Sequence, residues 1–333
     1  MKKHLIAAAV AAAVVAPAAM AQNVSIYGVL DTSYGSSSNT SNGTVAAVNS
    51  DVLYSSRLGF RGTEDLGGGM KARFIYESGI ATDRQGTANT IIDGRRGVGV
   101  YVSGGFGEIG FDGRVGNSLN TINSGVTNIT NFAANDSTRL SNRVVYTTPT
   151  MSGLTGSVGY STNATTQETA ATKDDATAAE VSVNFVTGKL RVLAAYSKRD
   201  VLTTGDIKDT GILASYDFGV AQATLRYLDT KGSGTSSATH NKHTGLDVDV
   251  PLGNGLKLGL GYVNFDLKGN NVDATRYTAQ LIKALSKRTN VYAAYARADN
   301  DSNASFTAFG VGGFAPAAGK DQNSYAVGIT HSF

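Results

Sequence analysis

The sequence predicts an all-β fold, a closed barrel of about sixteen antiparallel strands that crosses a membrane. Three observations lead to this prediction. Apolar residues alternate with small or polar ones along most of the chain, a short apolar leader stands at the N-terminus, and the last residue is aromatic. The composition agrees, because 17% charged residues and 40 glycines among 333 residues depart from an ordinary soluble domain.

The first residues form a leader that we expect to be removed after export. Two lysines precede an apolar stretch over residues 5–16, and Ala19-Met20-Ala21 follows it. A basic start, a short apolar stretch and a small-x-small end make up a secretory signal peptide. The chain therefore divides into a cleaved signal peptide over 1–21 and a barrel over 22–333. Because no later apolar run is long enough for a spanning helix, we expect strands to cross the membrane.

One face of each predicted strand is apolar. In residues 256–262 every even position holds Leu or Tyr and every odd position holds Lys or Gly, and residues 221–227 alternate in the same way. The other face carries Gly, Ser, Thr, Asn and an occasional Arg rather than the dense charge of a soluble sandwich. Since the chain has no Trp, tyrosines at the ends of apolar faces form the predicted aromatic girdles. These tyrosines include Tyr160, Tyr196, Tyr227 and Tyr262.

The alternating segments number about sixteen, an even count that allows an antiparallel barrel to close. Short connections and long polar gaps take turns between them, as periplasmic turns and external loops do in such barrels. The long gaps are 35–50, 81–94, 115–138, 162–177, 199–207, 231–242 and 300–322. The predicted strands are 23–34, 51–62, 69–80, 95–104, 107–114, 139–149, 152–161, 178–187, 189–198, 208–218, 220–230, 243–251, 255–267, 273–283, 289–299 and 323–333.

The chain ends in a strand whose last residue is Phe333. The final strand of a barrel has to pair with the first to leave no open edge, whereas the ends of a soluble domain usually fray. This ending resembles the C-terminal signature of outer-membrane proteins, which the barrel-assembly machinery recognises. Phe333 is therefore the predicted assembly signal.

Composition and motifs exclude most other functions. The absence of Cys removes disulfides and thiolate metal sites. Without Lys2 and Lys3, the 29 Lys and Arg become 27 against 26 Asp and Glu, which is too balanced for a nucleic-acid surface. The G-x-G-x-x-G run at 105–110 is followed by another alternating strand and not by a helix, so we interpret it as a turn. We expect no catalytic residue, no metal and no cofactor.

Several motifs resemble those of one family. They are Val-Ser-Ile-Tyr-Gly-Val-Leu-Asp at 24–31, Ser-Arg-Leu-Gly-Phe-Arg-Gly-Thr-Glu-Asp-Leu-Gly-Gly-Gly at 56–69, Tyr-Glu-Ser-Gly at 76–79, Ser-Gly-Gly-Phe-Gly at 103–107 and the terminal Phe333. With these motifs the sequence resembles the trimeric general porins of Gram-negative outer membranes, in particular their β-proteobacterial and neisserial branch.

The resemblance implies a barrel of sixteen strands whose third external loop folds into the lumen, and the gap at 115–138 is the candidate for that loop. It also implies a homotrimer in the outer membrane, with outer-membrane lipid around it and the barrel-assembly machinery as a partner during biogenesis. The implied function is the passive passage of small hydrophilic solutes and ions.

Arginines are the candidate residues of the pore constriction. The resemblance places one arginine on each of the second, fourth and sixth strands, and by motif these are Arg57, Arg96 and Arg139. Arg96 has a rival in Arg95, because Val98 and the valines after it share the parity of Arg96 and should face lipid. The complete predicted basic wall is Arg57, Arg61, Arg73, Arg95, Arg96, Arg139 and Arg143.

The opposing acidic wall is weak. Its candidates are Asp136 in the long gap and Glu108 and Asp112 on the strand before it. Because basic groups outnumber acidic ones, we predict a mild preference for anions. Two other functions stay open: a porin that selects one substrate, and a plugged barrel that acts as an adhesin or structural protein.

Overall fold

The computed structural model describes residues 24–39, 43–83, 96–132, 138–164, 176–201, 205–233, 240–269, 271–309, 311 and 314–333. The predicted signal peptide over 1–21 lies outside these residues. So do Arg95 and Asp136.

Nearly all of the described chain is strand. The segments are β1 (Ser25–Asn39), β2 (Gly43–Ser50), β3 (Arg57–Gly67), β4 (Met70–Gly79), β5 (Gly97–Gly104), β6 (Gly107–Gly113), β7 (Arg143–Thr147), β8 (Leu154–Ser161), β9 (Ala178–Thr187), β10 (Leu190–Val201), β11 (Gly205–Asp217), β12 (Gln222–Gly232), β13 (His240–Gly253), β14 (Leu256–Leu267), β15 (Ala274–Ala284), β16 (Thr289–Asn300) and β17 (Gln322–Ser332).

The strands close into one antiparallel barrel of sixteen positions. Each strand pairs with the next one along the chain, except that β2 and β3 both pair with β1, and β17 pairs with β1, which removes the open edges. The seventeen segments fill sixteen positions because β2 and β3 lie in line along the same side of β1. The predicted fold class is therefore confirmed.

The wall differs from the prediction where β2 passes into β3. The predicted gap at 35–50 is an antiparallel hairpin, in which residues 32–39 pair with residues 43–50. These residues are mostly Ser, Gly, Asn, Ala and Thr, and main-chain pairing extends them without an apolar face. The predicted strand at 51–62 instead begins at Arg57, and residues 51–56 turn out of the wall. We call residues 51–56 the bend.

The two faces of the wall have opposite character. On β12, Leu225 is 56% exposed on the outside, whereas its neighbour Arg226 is 1% exposed on the inside. The same alternation puts large apolar side chains on the outer surface of β1, β5, β6, β8 and β17, among them Tyr34, Val100, Phe111, Val158 and Val327. The outer surface is thus suited to lipid and the inner surface to water.

A long connection between β6 and β7 crosses to the opposite wall. It contains helix α1 (Ser118–Ser124) and a 3-10 turn (Asn128–Thr130). Asn117 caps α1, because its side-chain oxygen accepts a hydrogen bond from the Asn120 main-chain N–H at 3.0 Å. Helix α1 contacts β10, β11 and β12, and the 3-10 turn contacts β14 and β15. We call residues 115–132 the inner segment.

Apolar residues of the inner segment are buried against small residues of the wall. Leu119 and Ile122 pack in one cluster with Leu193 and Leu213, and a side chain at Gly211 would collide with Ile122. Ile129 belongs to a second cluster, with Leu53 of the bend and three alanines of β16, Ala294, Ala296 and Ala298. No helix within the described residues is long and apolar enough to span a membrane.

Candidate functional site

A cavity of about 350 Å³ lies between the inner segment and the wall formed by β3, the start of β5 and the segment before β7. Three guanidinium groups line it, those of Arg57, Arg96 and Arg139. The inner segment supplies amides and hydroxyls on the facing side. The polar lining residues of the inner segment are Asn120, Asn123, Ser124, Thr127, Asn128 and Asn131.

Arg57 is the first residue of β3 and points inward, as the alternation with Leu58 predicts. Its Nη1 donates a hydrogen bond to the main-chain oxygen of Ser55 at 3.2 Å. Its Nε lies 3.6 Å from Oε2 of Glu77 on the neighbouring strand β4. The bend therefore helps to fix the orientation of this guanidinium group.

Arg96 also faces the cavity, although alternation from Val98 would turn it towards lipid. Strand β5 begins only at Gly97, whose φ of +154° lets the chain change direction there. A side chain at position 97 would lie 2.9 Å from the Cα of Val115. Nε of Arg96 contacts Oε1 of Glu77 at 2.7 Å. The alternation of β5 therefore does not extend back to Arg96.

Arg139 stands in the segment between β6 and β7, outside the strands. Its Nη1 donates hydrogen bonds to the main-chain oxygens of Arg96 and Arg114, the second at 2.9 Å. Burial and the neighbouring Arg96 lower the pKa of Arg139 to about 10. The group is therefore charged at neutral pH, and no ion pair involves it among the described residues.

The charge of the cavity is positive. Among the described residues that line it there is no carboxylate. Glu77 stands behind the arginines, bonded to Arg96 and near Arg57, and its Oε2 also accepts a hydrogen bond from the Tyr27 hydroxyl at 3.1 Å. One carboxylate facing three guanidinium groups leaves a net positive field at this point of the lumen.

Five other predicted residues within the described part of the chain do not line this cavity, and four of them pair with one another. Arg73 is paired in a bidentate ion pair with Glu108, with N–O distances of 2.7 and 2.6 Å. Arg143 forms a bidentate pair with Asp112, at 2.8 and 2.7 Å. Arginine and carboxylate thus lie on the same wall as partners, because their strands β4–β5–β6–β7 are neighbours in the sheet.

These pairs belong to one network around a second cavity of about 310 Å³. The Tyr101 hydroxyl donates to Asp112 at 2.7 Å, and Arg143 also contacts Glu180 at 2.6 Å. The Asn117 amide donates to the other oxygen of Glu180, so the network ties the start of the inner segment to the wall. Two arginines and three carboxylates make up the network, so it adds no net positive charge, and its bonds support the start of the segment.

Arg61, the remaining predicted residue within the described part of the chain, is exposed. Its guanidinium carbon lies 4.9 Å from the centre of the Tyr27 ring, which is a cation–π distance. It lies on the same face of β3 as Arg57 but does not line the basic cavity.

Two arginines that bind the inner segment were missed from the sequence. Arg226 donates to the main-chain oxygens of Ile122, Asn123 and Thr130, at 3.1, 3.4 and 2.8 Å. Arg276 donates to the main-chain oxygen of Asn131. Both are buried, and they hold the inner segment against the wall opposite the basic cavity. The available signal was an arginine at inward parity between apolar residues, as in Leu225-Arg226-Tyr227.

The ends of the barrel meet at Phe333. Its main-chain N–H and C=O exchange two hydrogen bonds of 3.1 Å with Gly28 of β1. Its ring covers Gly28, where an added Cβ would lie 2.4 Å from the ring carbon Cζ. The last residue therefore closes the seam between β17 and β1 with both its main chain and its side chain.

A closed barrel with an apolar outside, a polar lumen and a charged cavity beside an internal segment defines a transmembrane channel. The chain belongs to the Gram-negative porin family, whose pattern matches residues 7–303. It is similar to outer membrane porin protein 32 of Delftia acidovorans, with 31% identity over 382 residues that cover 100% of both chains. It is thus an outer-membrane protein of a Gram-negative bacterium, and its family consists of channels and not of enzymes.

Solved structures show the same fold. The anion-selective porin from Comamonas acidovorans superposes with a TM-score of 0.79 at 27% identity, covering 94% of this chain and 100% of the other. OmpT of Vibrio cholerae in its trimer form superposes with a TM-score of 0.67 at 17% identity, covering 94% and 100%. At that identity the second likeness shows the fold alone.

Proposed function

We propose that this porin lets small hydrophilic solutes and ions diffuse passively through its lumen, with a mild preference for anions. The observation that carries the sign of the preference is the basic cavity. Three guanidinium groups line it, the inner segment faces them with neutral amides and hydroxyls, and no carboxylate lines it among the described residues.

The physical reason is the placement of fixed charge at a narrow point. Charged side chains at a constriction set the ion selectivity of a channel, and walls of low dielectric constant strengthen their field. Glu77 offsets part of the charge of Arg57 and Arg96. We therefore expect a preference and not an exclusion, with Arg139 as the largest uncompensated contributor.

Other support comes from a relative. The solved structure described as an anion-selective porin is 27% identical to this chain and covers it almost completely. A porin that selects one substrate, or a plugged barrel, would need features that the basic cavity does not supply. Selection of one substrate needs a set of groups matched to it along the lumen, and a plug needs a lumen without such a cavity.

The test combines two measurements on the purified protein. In planar bilayers under a gradient of potassium chloride, the reversal potential should indicate that chloride is more permeant than potassium. In proteoliposomes, neutral sugars should enter at rates that fall with their size. A reversal potential of the opposite sign would contradict the anion preference, saturable uptake of one sugar would favour the selective porin, and no uptake would favour the plugged barrel.

We also propose that the functional unit is a homotrimer and that Phe333 serves as the assembly signal. The trimer form of a structural relative and the apolar outer surface of the barrel support the first point. The position of Phe333 at the seam supports the second, because this residue makes the contact that joins the last strand to β1. Three equal closing steps per insertion in a bilayer would establish the trimer, and one step would refute it.

A further inference from the structure

Among the residues that the structure describes, the bend is the one place where a strand position of the wall is interrupted by a turn into the lumen. Residues 51–56 leave the sheet between β2 and β3, which otherwise lie in line. Leu53 is fully buried there and packs in the same cluster as Ile129 of the inner segment. The bend therefore lies between the wall and the inner segment.

The carboxylate of Asp51 closes the bend on itself, because its Oδ1 accepts a hydrogen bond from the Ser56 main-chain N–H at 2.8 Å, and the carboxylate of Asp31 ties the bend to the wall. Oδ2 of Asp31 accepts hydrogen bonds from the main-chain N–H groups of Leu53 and Tyr54, both at 2.7 Å. Its Oδ1 accepts one from the Tyr292 hydroxyl at 2.6 Å. The main chain of Asp31 is tied to the far end of the bend as well, because its N–H donates to Oγ of Ser56 at 2.9 Å.

Asp31 is fully buried and forms no ion pair within the described part of the chain. Taking a carboxylate out of water costs several kcal/mol unless hydrogen bonds compensate it. Three strong donors do so here, and two of them are consecutive main-chain N–H groups that only the folded bend presents together. The main-chain N–H groups of the folded bend thus compensate the burial of the Asp31 carboxylate.

The bend in turn holds both sides of the basic cavity. The main-chain oxygen of Leu53 accepts from Asn128 N–H, and that of Asp51 accepts from the Asn128 side chain, both at 2.8 Å. The main-chain oxygen of Ser55 accepts from Arg57. The inner segment and one of the three arginines are therefore both fixed by carbonyl groups of the bend.

We propose that Asp31 is the positioning residue of the constriction. It sets the spacing between Arg57 and the inner segment by fixing the bend that binds both. The inference deepens the proposed function and rests on it for the sign of selectivity. It differs from a purely structural role, in which Asp31 would stabilise the wall and leave the permeation properties unchanged.

The test compares Asp31→Asn with Ser33→Ala. Both residues are buried on the inner face of β1, but Ser33 contacts neither the bend nor the inner segment in any hydrogen bond of the described residues. In Asp31→Asn trimers we expect the chloride-to-potassium permeability ratio to fall by about twofold and the open-channel current noise to rise. In Ser33→Ala trimers both should equal those of the wild-type channel.

Two further variants keep the test decisive if Asp31→Asn fails to assemble. Tyr292→Phe removes one of the three donors and retains the ring. Asn128→Ala acts at the other end of the linkage without touching the wall. Both should raise the noise, and Asn128→Ala combined with Tyr292→Phe should add less than the sum of the single changes, since the residues act through one linkage.

The proposal is overturned if assembled Asp31→Asn channels melt at a lower temperature but keep the wild-type ratio and noise. It is also overturned if Ser33→Ala changes permeation equally, or if the Asn128 and Tyr292 effects are fully additive. Failure of the proposed function looks different. In that case the wild-type channel itself would not prefer chloride, while the noise of the variants would still report on Asp31.

Discussion

Arg226 donates its Nε to Oδ2 of Asp247 at 2.8 Å, and both side chains are buried on neighbouring strands, β12 and β13. The pair leaves the two terminal nitrogens of Arg226 free to bind carbonyl groups of the inner segment. The guanidinium carbon also lies 4.4 Å from the centre of the Phe132 ring. The carboxylate therefore orients an arginine whose other hydrogen bonds among the described residues all go to the segment that narrows the lumen.

Replacing Arg226 with Gln should loosen the inner segment and destabilise the barrel. The change leaves the Asp247 carboxylate buried without its partner, which costs about 3–5 kcal/mol in other proteins. Urea unfolding in detergent would measure the loss, and limited proteolysis would show whether cleavage begins within residues 115–132. The matched double variant Arg226→Gln with Asp247→Asn should recover part of the stability, because no unpaired charge remains. Equal stability of the single and double variants would contradict this account.

Neutralising the arginines of the basic cavity should reduce the preference for chloride. Arg57→Gln, Arg96→Gln and Arg139→Gln each remove one positive charge, and we expect Arg139→Gln to have the largest effect because no carboxylate pairs with it among the described residues. Reversal potentials in a salt gradient would rank the three variants.

Arg297→Gln is the control for these variants. Arg297 carries the same charge but lies on the outward face of β16, where it pairs with Asp299 and Asp321. A shift with Arg297→Gln as large as with Arg139→Gln would rule out a local effect.

The chloride preference should depend on pH in the alkaline range. A guanidinium group loses its charge as pH rises through its pKa, and the pKa of Arg139 is lowered to about 10 by burial and by Arg96. The contribution of Arg139 should therefore be complete at neutral pH and fall as the pH approaches about 10. Reversal potentials of the wild-type and Arg139→Gln channels, recorded over this range, should converge at high pH. Parallel curves would show that Arg139 does not titrate there.

Adding a methyl group at Gly110 should destabilise the wall between β5 and β6. The Tyr101 ring lies flat over this glycine, and a Cβ at position 110 would come within 2.0 Å of its Cδ1. The ring would have to move, which would break its 2.7 Å hydrogen bond to Asp112 and its stacking with Arg73 at 3.6 Å. We expect Gly110→Ala to lower the free energy of unfolding by about 1–3 kcal/mol, measured by urea titration. Gly113→Ala on the same strand is the control, because only Val98 approaches its Cβ, at 3.9 Å.

Truncating the last side chain should weaken the seam of the folded barrel. Phe333→Ala removes the ring that covers Gly28 but retains the two main-chain hydrogen bonds, so we expect a loss of about 1 kcal/mol in unfolding free energy. Urea unfolding of the purified protein in detergent would measure it. Refolding in vitro, without assembly machinery, separates this effect from recognition. If the variant refolds with wild-type stability but fails to reach the outer membrane in cells, Phe333 acts only as a signal.

The arrangement of the wall could be predicted from the sequence because its rule is local. All sixteen strand positions coincide with predicted segments, since lipid on one side and water on the other impose a period of two on every strand. The boundaries differ most where main-chain pairing needs no apolar face, as in residues 35–50, and where the chain leaves the wall, as at the bend. The strand predicted at 139–149 likewise begins only at Arg143, so Arg139 lies before it.

The cavity was less predictable because its residues meet through contacts distant in sequence. The motif resemblance and the strand alternation both pointed to Arg57 and Arg139. For Arg96 the motif pointed to the lumen, whereas the alternation pointed to lipid. Arg73 and Arg143 form ion pairs because carboxylates lie opposite them on nearby strands. The register between strands decides this, and the sequence alone does not give the register. Arg226 and Asp31 were missed because most of their partners are main-chain groups, which the residue types do not reveal.

The size of the basic cavity has a consequence for the range of its field. A volume of about 350 Å³ corresponds to a radius of about 4 Å, which is shorter than the Debye length of about 8 Å at physiological ionic strength and longer than the 3 Å reached near 1 M salt. Mobile counterions therefore cannot screen the guanidinium groups from an entering ion in dilute media. Near 1 M salt, counterions can screen these groups. The protein should therefore discriminate between chloride and potassium far better in dilute salt than in concentrated salt.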